Sequence, residues 1–494
     1  MDVNGREVYL ISDLHLGGAQ PATSDPNDRG FRICTHGDEL ARFVDALAAK
    51  PPSVELIVNG DMVDFLAEDD GGAGWLAFTT DQADAVRKLD SIIDRDKALF
   101  EALGRFLERG HRLVILLGNH DVELALPAVR QRFGERIGLT GRHDFEFIYD
   151  GEAYRIGRAL IEHGNRYDAF NIVDYDGLRR LRSLLSRNQA VPADYAFAAP
   201  AGSHVVAEVM NPIKAQYRII DLLKPENEAM IPVLMAIEPG YRKVLTRIAA
   251  LGLKARKHRL VGPAMPSFAG DISAQSSDSC FADDSFASDI GASAPPPDAL
   301  EIIMRERLGG QAAVLLTGAP AGAAGAFAED ISARETIDRT WGLARMLASS
   351  SREGFQTRLP ALLAAVRSVH TETTFVRDAE CFTEYLEAAK ELAGGGFDYV
   401  IFGHTHAARD VSLTAGARYL NLGTWADLIK FPSAILSGPQ PAALDGLRAF
   451  VEDMATGKLS AWTSFTPTYG KLIVDSDGAV RDAMVCDYTG VDEL

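Results

Sequence analysis

Five short apolar runs in this chain break off at the same kind of polar group, and that recurrence limits the available folds more than any other feature. VYLISDLHLGG ends in Asp13 and His15, and VELIVNGDMVDF ends in Asp61. RLVILLGNHDVE ends in Asn119, His120 and Asp121, RALIEHGNRYD in His163, and DYVIFGHTHAA in His404 and His406. A short apolar run closed by a turn reads as a buried strand of a parallel sheet. In open α/β sheets, ligands collect outside the carboxyl ends of the strands. Imidazoles, carboxylates and amides at five such ends would be costly to bury without partners. The pattern therefore predicts that side chains from position 13 to position 406 meet at one sheet edge.

The donor set narrows the chemistry. Imidazole, carboxylate and amide oxygen suit manganese, iron or zinc, and the lack of sulfur argues against a thiolate site. The four cysteines (34, 280, 381, 486) are scattered without a CxxC pair and read as reduced thiols. Net charge is -19, from 50 basic and 69 acidic residues. That balance speaks against general nucleic-acid binding. It would also repel phosphate esters unless the site held local positive charge, which bound metal ions would supply.

In that order, Asp-x-His, Gly-Asp, Gly-Asn-His-Asp, His and Gly-His-Thr-His resemble the signature of the calcineurin-like metallophosphoesterases. The resemblance covers about 7–170 and 393–475. It implies a four-layer α/β/β/α sandwich and two divalent ions, manganese first, with iron, zinc or magnesium as alternatives. Asp13, His15 and His406 would hold one ion, Asn119, His163 and His404 the other, and Asp61 would bridge them. It further implies hydrolysis of a phosphomonoester, phosphodiester or pyrophosphate by a hydroxide held between the ions. His120 would protonate the leaving oxygen or stabilise phosphoryl charge, and Asp121 would orient His120.

SDLHLG, GHTH and an insertion after His163 are also similar to the UDP-2,3-diacylglucosamine pyrophosphohydrolase branch. That likeness implies a lipid-linked substrate at a membrane surface. The insertion here is longer, and His120 stands where that branch commonly has Arg. Nucleotide, lipid-linked and small phosphorylated substrates all stay open. A reading from another class is a non-catalytic metal-binding scaffold or sensor acting through the insertion; loss of ligands would mark it, and none is lost.

Plainer readings stand beside these. Asp121 could be only a helix cap. Asn165 and Arg166, just past His163, could reach a substrate phosphate or form a structural salt bridge. Asp64 and the acidic AEDD at 67–70 read as a solvated loop before they read as a pocket rim. The remaining histidines (36, 111, 143, 204, 258, 370) read as surface or packing residues.

The chain alternates strand and helix over 1–170, with strands near 7–11, 54–59, 112–117, 145–149 and 159–162 and helices over 38–49, 84–109 and 121–133. The pattern predicts a mainly helical insertion or cap over 171–392 and a return to the sheet over 393–494. Within the insertion, 241–259 carries seven Lys or Arg and no acid. It is either a face for an anionic membrane or a cap helix with its polar side in water. The stretch 260–304 holds no Lys or Arg, carries APPPD at 294–298, and reads as a flexible loop. The start MDVNGREVYL enters a strand directly, which is expected of a cytoplasmic chain without a leader, peripheral to a membrane at most. The subunit count is not legible.

Overall fold

The computed structural model describes residues 6–18, 32–215 and 374–491 with short breaks, together with a few positions between 222 and 370. The basic segment 241–259 and the loop 260–304 lie outside the described residues.

The apolar runs become strands of two sheets. In the first, β1 (Arg6–Ile11), β2 (Glu55–Asn59), β3 (Arg112–Leu116) and β4 (Phe145–Ile148) run parallel. The second contains β5 (Tyr154–Ile156), β6 (Ala159–Ile161), β7 (Tyr399–Phe402), β8 (Arg409–Ser412) and β9 (Arg418–Asn421), in the order β5-β6-β7-β9-β8. Here β6, β7 and β9 are parallel, and β5 and β8 close the edges antiparallel. A short ribbon pairs β10 (Leu428–Ile429) with β11 (Thr463–Ser464). Finally β12 (Thr468–Val474) and β13 (Val480–Asp487) complete the first sheet in the order β13-β12-β1-β2-β3-β4.

Alternation along the strands builds the layers. Val8 and Leu10 of β1 join Ile57, Val114, Ile161, Ile401 and Leu420 in a core between the sheets. Tyr9 and Ile11, on the opposite face, join Leu56, Val58, Leu113 and Ile115 against α1 (Gly37–Ala48), α2 (Gln82–Arg95), α3 (Lys97–Glu108) and α4 (Pro127–Arg136). On the far face of the second sheet, Val400, Phe402 and Tyr419 pack with Tyr385 and Ala389 of the helix Thr383–Gly394. The result is an α/β/β/α sandwich. Each fully buried Val, Leu or Ile in it contributes roughly 1.5–3 kcal/mol.

Two helical expectations are corrected. The expected helix over 84–109 is two helices, because the chain leaves helical geometry at Asp96 (φ -108°, ψ 32°). Asp96 is buried there and pairs with Arg32. The expected helix over 121–133 begins as a tight turn, Val122–Ala125, and restarts as α4 because Pro127 bars Leu126 from helical backbone.

The chain divides into two compact units. The first holds both sheets and comprises Met1–Ala215, Thr373–Leu428 and Ser464–Leu494; the second comprises Gln216–Glu372 and Ile429–Thr463. The helix α5 (Tyr175–Leu185) and the helical run from Ala201 to Lys214, expected in the insertion, thus group with the sheets. Within the second unit, Phe431, Phe450 and Trp462 stack edge to face, and Arg367 donates to the carbonyls of Ile435 and Gly438 at 2.8 and 2.7 Å.

Candidate metal centre

The loops after β1, β2, β3, β6 and β7 interlock through their backbones. Leu14 and His15 N–H both donate to Asp61 O at 2.9 Å, and Gly403 N–H donates to His163 O at 2.9 Å. Two carboxylates take further backbone bonds. His120 N–H donates to Asp61 Oδ1 at 2.8 Å, and His404 N–H reaches both Asp13 oxygens at 3.1 and 2.9 Å. The glycines of the motifs follow from this closeness. A Cβ at Gly118 would lie 2.1 Å from Asp61 Oδ1, and one at Gly403 would lie 2.1 Å from Ser12 Oγ.

Among the described residues, six non-glycine positions have positive φ, and five of them are Asp13, His15, Asp61, His404 and His406. Left-handed backbone is strained for such residues and persists only where surrounding structure enforces it, typically at functional sites. Here the strain coincides with the residues that the sequence motifs single out.

Among the described residues three donor groups result, each with its donor atoms within 4.8 Å of one another: His15 with Asp64 and His120, and the two that the motifs anticipate, Asp13 with His15 and His406, and Asp61 with His163 and His404. His15 Nε2 and His406 Nε2 are 2.9 Å apart, and Asp13 Oδ1 is 3.3 Å from the latter. Asp61 Oδ2 stands between the groups, 3.7 Å from His15 Nε2 and 3.1 Å from His163 Nε2. Asn119 donates through Nδ2 to Asn171 Oδ1 at 3.3 Å, while its buried Oδ1 has no hydrogen-bond partner among the described residues.

The ring tautomers suit a cation. His163 Nδ1 lies 2.9 Å from Asn59 O, which can only accept, so Nδ1 carries the proton and Nε2 offers a lone pair. His15 Nδ1 lies 3.1 Å from Asp64 Oδ2, with the same consequence. His404 Nε2 faces Asp168 Oδ2 at 3.4 Å, which leaves Nδ1 for a ligand. Burial opposes a charge on His163, yet Asp61 and Asp13 lift its pKa to about 10. Burial likewise opposes ionisation of Asp61, but His163 and His120 hold it well below the usual carboxylate range. Such a knot of buried opposite charges is one in which a divalent cation can replace protons. The donors present therefore fit two divalent ions, with Asp61 able to serve both.

Residues 7–217 match the family described as calcineurin-like phosphoesterase. The chain carries a calcineurin-like phosphoesterase domain. No curated protein matches the sequence. The matched stretch ends well before His404 and His406, which join the site through geometry alone. Nothing in the match favours the UDP-diacylglucosamine branch over the rest of the family.

Within the phosphoesterase domain the partner of His120 differs from expectation. Asp121 does not touch its ring; its oxygens accept Met62 N–H at 2.9 Å and Gly118 N–H at 2.7 Å, pinning two loops together. The carboxylate at His120 Nδ1 is Asp64, with Oδ2 at 3.0 Å. Far from a solvated loop residue, Asp64 is 1% exposed, and its Oδ1 caps the turn Phe65–Ala67 through Ala67 N–H. Burial works against charge on His120, but Asp64 and Asp61 outweigh it and raise its pKa to about 9. Its side chain is 15% exposed, the partial access a proton donor needs.

Asn165 and Arg166 also find partners inside the protein. Asn165 Nδ2 donates to Asn171 O at 2.7 Å, and Arg166 pairs with Glu162 at 3.1 Å and with Gly151 O at 2.5 Å. The salt-bridge reading of Arg166 is therefore the one the geometry supports. Asp64, Asp168 and Asn171 were missed as members of the site. Asp64 had a signal, three positions past Asp61 at the mouth of the same strand; Asp168 and Asn171 sit in a loop whose path no periodicity announces.

Behind the His120 loop, burial raises the Glu123 carboxyl to about 7, against the Thr79 N–H bond and the nearby Lys88 that favour its ionised form. The folded pKa exceeds the unfolded one, so the neutral acid's contribution is complete below about pH 4.5 and lost as pH rises through 7. Glu123→Gln should leave stability unchanged near pH 4 and raise it by about 1–3 kcal/mol at pH 8. Urea denaturation at the two pH values checks this; an equal effect at both contradicts it.

Proposed function

We propose that the protein is a metal-dependent phosphoesterase in which Asp13, His15 and His406 hold one divalent ion, Asn119, His163 and His404 a second, and Asp61 both. The observation that carries this reading is the convergence of side chains as much as 391 positions apart into adjoining donor groups, on backbone held in strained conformations. Two divalent ions, when bound, supply Lewis acidity toward a phosphoryl group and lower the pKa of water. They carry four positive charges, of which Asp13 and Asp61 neutralise two. The remainder would offset the repulsion that a phosphate ester meets from a chain of net charge -19.

The chain's own residues supply the rest. Asp61 and Asp13 each bind a neighbouring loop through backbone N–H groups, so their free lone pairs are fixed in direction. Asp64 fixes the proton on His120 Nδ1 in the neutral ring and favours the imidazolium. A protonated His120 gives its Nε2 proton to the leaving oxygen. His120→Ala should retain the metals yet slow turnover by about 10²–10⁴-fold, most for poor leaving groups. A Brønsted plot over substituted phenyl phosphates checks this, and equal slowing across the series contradicts it. The overall reading is tested by hydrolysis of p-nitrophenyl phosphate and bis-p-nitrophenyl phosphate with Mn²⁺, with and without a chelator. Chelator-sensitive turnover of either supports it; no turnover of any phosphoester by metal-loaded protein refutes it in favour of a scaffold.

A further inference from the structure

The loop that follows β6 carries a tight turn at NRYDAFN, closed by Asn171 N–H donating to Asp168 O at 2.9 Å and by Phe170 N–H donating to Asp168 Oδ1 at 2.9 Å. An Asp at the head of such a turn bonds the backbone two residues on, which is what places it there. The turn lays the Asp168 and Asn171 side chains beside each other, and Asn171 Nδ2 donates to Asp168 Oδ2 at 2.8 Å. Asn165 braces it through the bond to Asn171 O at 2.7 Å. The helix Ala201–Val205 closes on the same turn: Gly202 N–H donates to Phe170 O at 2.7 Å, and a Cβ at Gly202 would collide with Asn171 Oδ1.

Asp168 thereby anchors a chain of orientations. An ionised carboxylate can only accept, so the Asn171 amide turns Nδ2 toward it and leaves Oδ1 at its other end. That oxygen can also only accept, and Asn119 donates to it through Nδ2 at 3.3 Å. Asn119 Oδ1, the atom a cation takes, is left buried and without a hydrogen-bond partner among the described residues. The same Asp168 Oδ2 faces His404 Nε2 at 3.4 Å and leaves Nδ1 as the donor. Asn119 and His404 are proposed ligands of one ion. His15, proposed for the other, is oriented by a different carboxylate, Asp64.

We propose that Asn171 is a positioning residue for one ion of the pair alone: it relays the orientation set by Asp168 to Asn119 and so fixes which atom Asn119 presents. The inference rests on the metal assignment proposed above, and its readout is metal binding, not turnover. The full-length protein, freed of metal by chelation, is titrated with Mn²⁺ in a calorimeter while its electron paramagnetic resonance spectrum is followed. The wild type should take up two ions and show the exchange-coupled spectrum of a pair.

Asn171→Leu, which keeps the side chain's size and removes both of its hydrogen bonds, should weaken one ion by about 10–100-fold and leave the other within about threefold. At Mn²⁺ concentrations that fill the wild-type pair, the variant should give the spectrum of isolated Mn²⁺. Anomalous diffraction from it at one equivalent should show a single peak beside Asp13, His15 and His406. Gly202→Ala, which displaces the Asn171 amide and alters no ligand, should weaken the same ion. Equal weakening of both ions, or a lower melting temperature of the metal-free protein with both affinities unchanged, would make Asn171 a structural residue and overturn the inference. So would a lone peak at Asn119, His163 and His404. Two ions bound unchanged by Asn171→Leu would sink this inference and leave the metal-dependent reading intact, whereas a wild type that binds fewer than two ions removes both.

Discussion

Asp61→Asn should empty both metal positions. The amide keeps an oxygen for His120 N–H, now at 2.8 Å from Asp61 Oδ1, so the loop after β3 stays in place. What disappears is the negative charge between His15 and His163, whose Nε2 atoms lie 3.7 and 3.1 Å from Asp61 Oδ2. Two dications cannot share a neutral amide oxygen as they share a carboxylate, and the remaining Asp13 serves one side only. Bound manganese should fall from two per chain to below one, and phosphoester turnover by at least about a thousandfold, a loss of some 4 kcal/mol in the barrier. Plasma mass spectrometry of the desalted protein, beside a thermal melt to show that the fold survives, reads both effects. Two ions retained in a folded Asp61→Asn protein would refute the bridging role.

Asp64→Asn is the second large effect, and it separates positioning from ligation. One carboxylate oxygen, Oδ2, lies 3.1 Å from His15 Nδ1 and 3.0 Å from His120 Nδ1, so Asp64 orients a proposed ligand and the proposed acid together. Burial alone would raise its pKa, but His120 and His15 hold it well below the usual range, so the oxygen is an anion throughout the working pH range. An amide oxygen in the Oδ2 position turns the NH₂ against Ala67 N–H, and an NH₂ in that position takes the acceptor from both imidazoles; in either case the negative charge between the rings is lost. Loss of an outer partner of this kind costs about 10–100-fold in metal affinity or activity; with the acid affected as well, a decrease of about 10²–10³ in kcat is expected.

The pH profile identifies the cause. Asp64 raises the His120 pKa, so its neutralisation lowers that pKa and moves the alkaline limb of kcat, where His120 loses its proton, to lower pH. A fall in kcat with an unmoved limb would mean that Asp64 acts through the metal alone.

Much of this centre was legible because strand and turn chemistry are local. The runs VYLI, ELIV, RLVIL and YVIF are short and apolar enough to be read as buried strands, and each delivers its candidate ligand two to four residues later. What lay between them was less legible. The strand β5 is three residues long and β8 is a half-polar RDVS, too short for a period of two to register. The choice between Asp64 and Asp121 as partner of His120 could not be read along the chain. Asp121 adjoins His120 in sequence but points its oxygens at backbone N–H groups, while Asp64 is 56 positions away and meets the ring across a turn.

The most direct test is anomalous diffraction at the manganese edge from crystals of the Mn²⁺-loaded protein. Two peaks about 3.5–4 Å apart are predicted, one within reach of Asp13, His15 and His406, the other within reach of Asn119, His163 and His404, with Asp61 bonded to both. A single peak, a peak held instead by His15, Asp64 and His120, or no manganese at these residues would contradict the account.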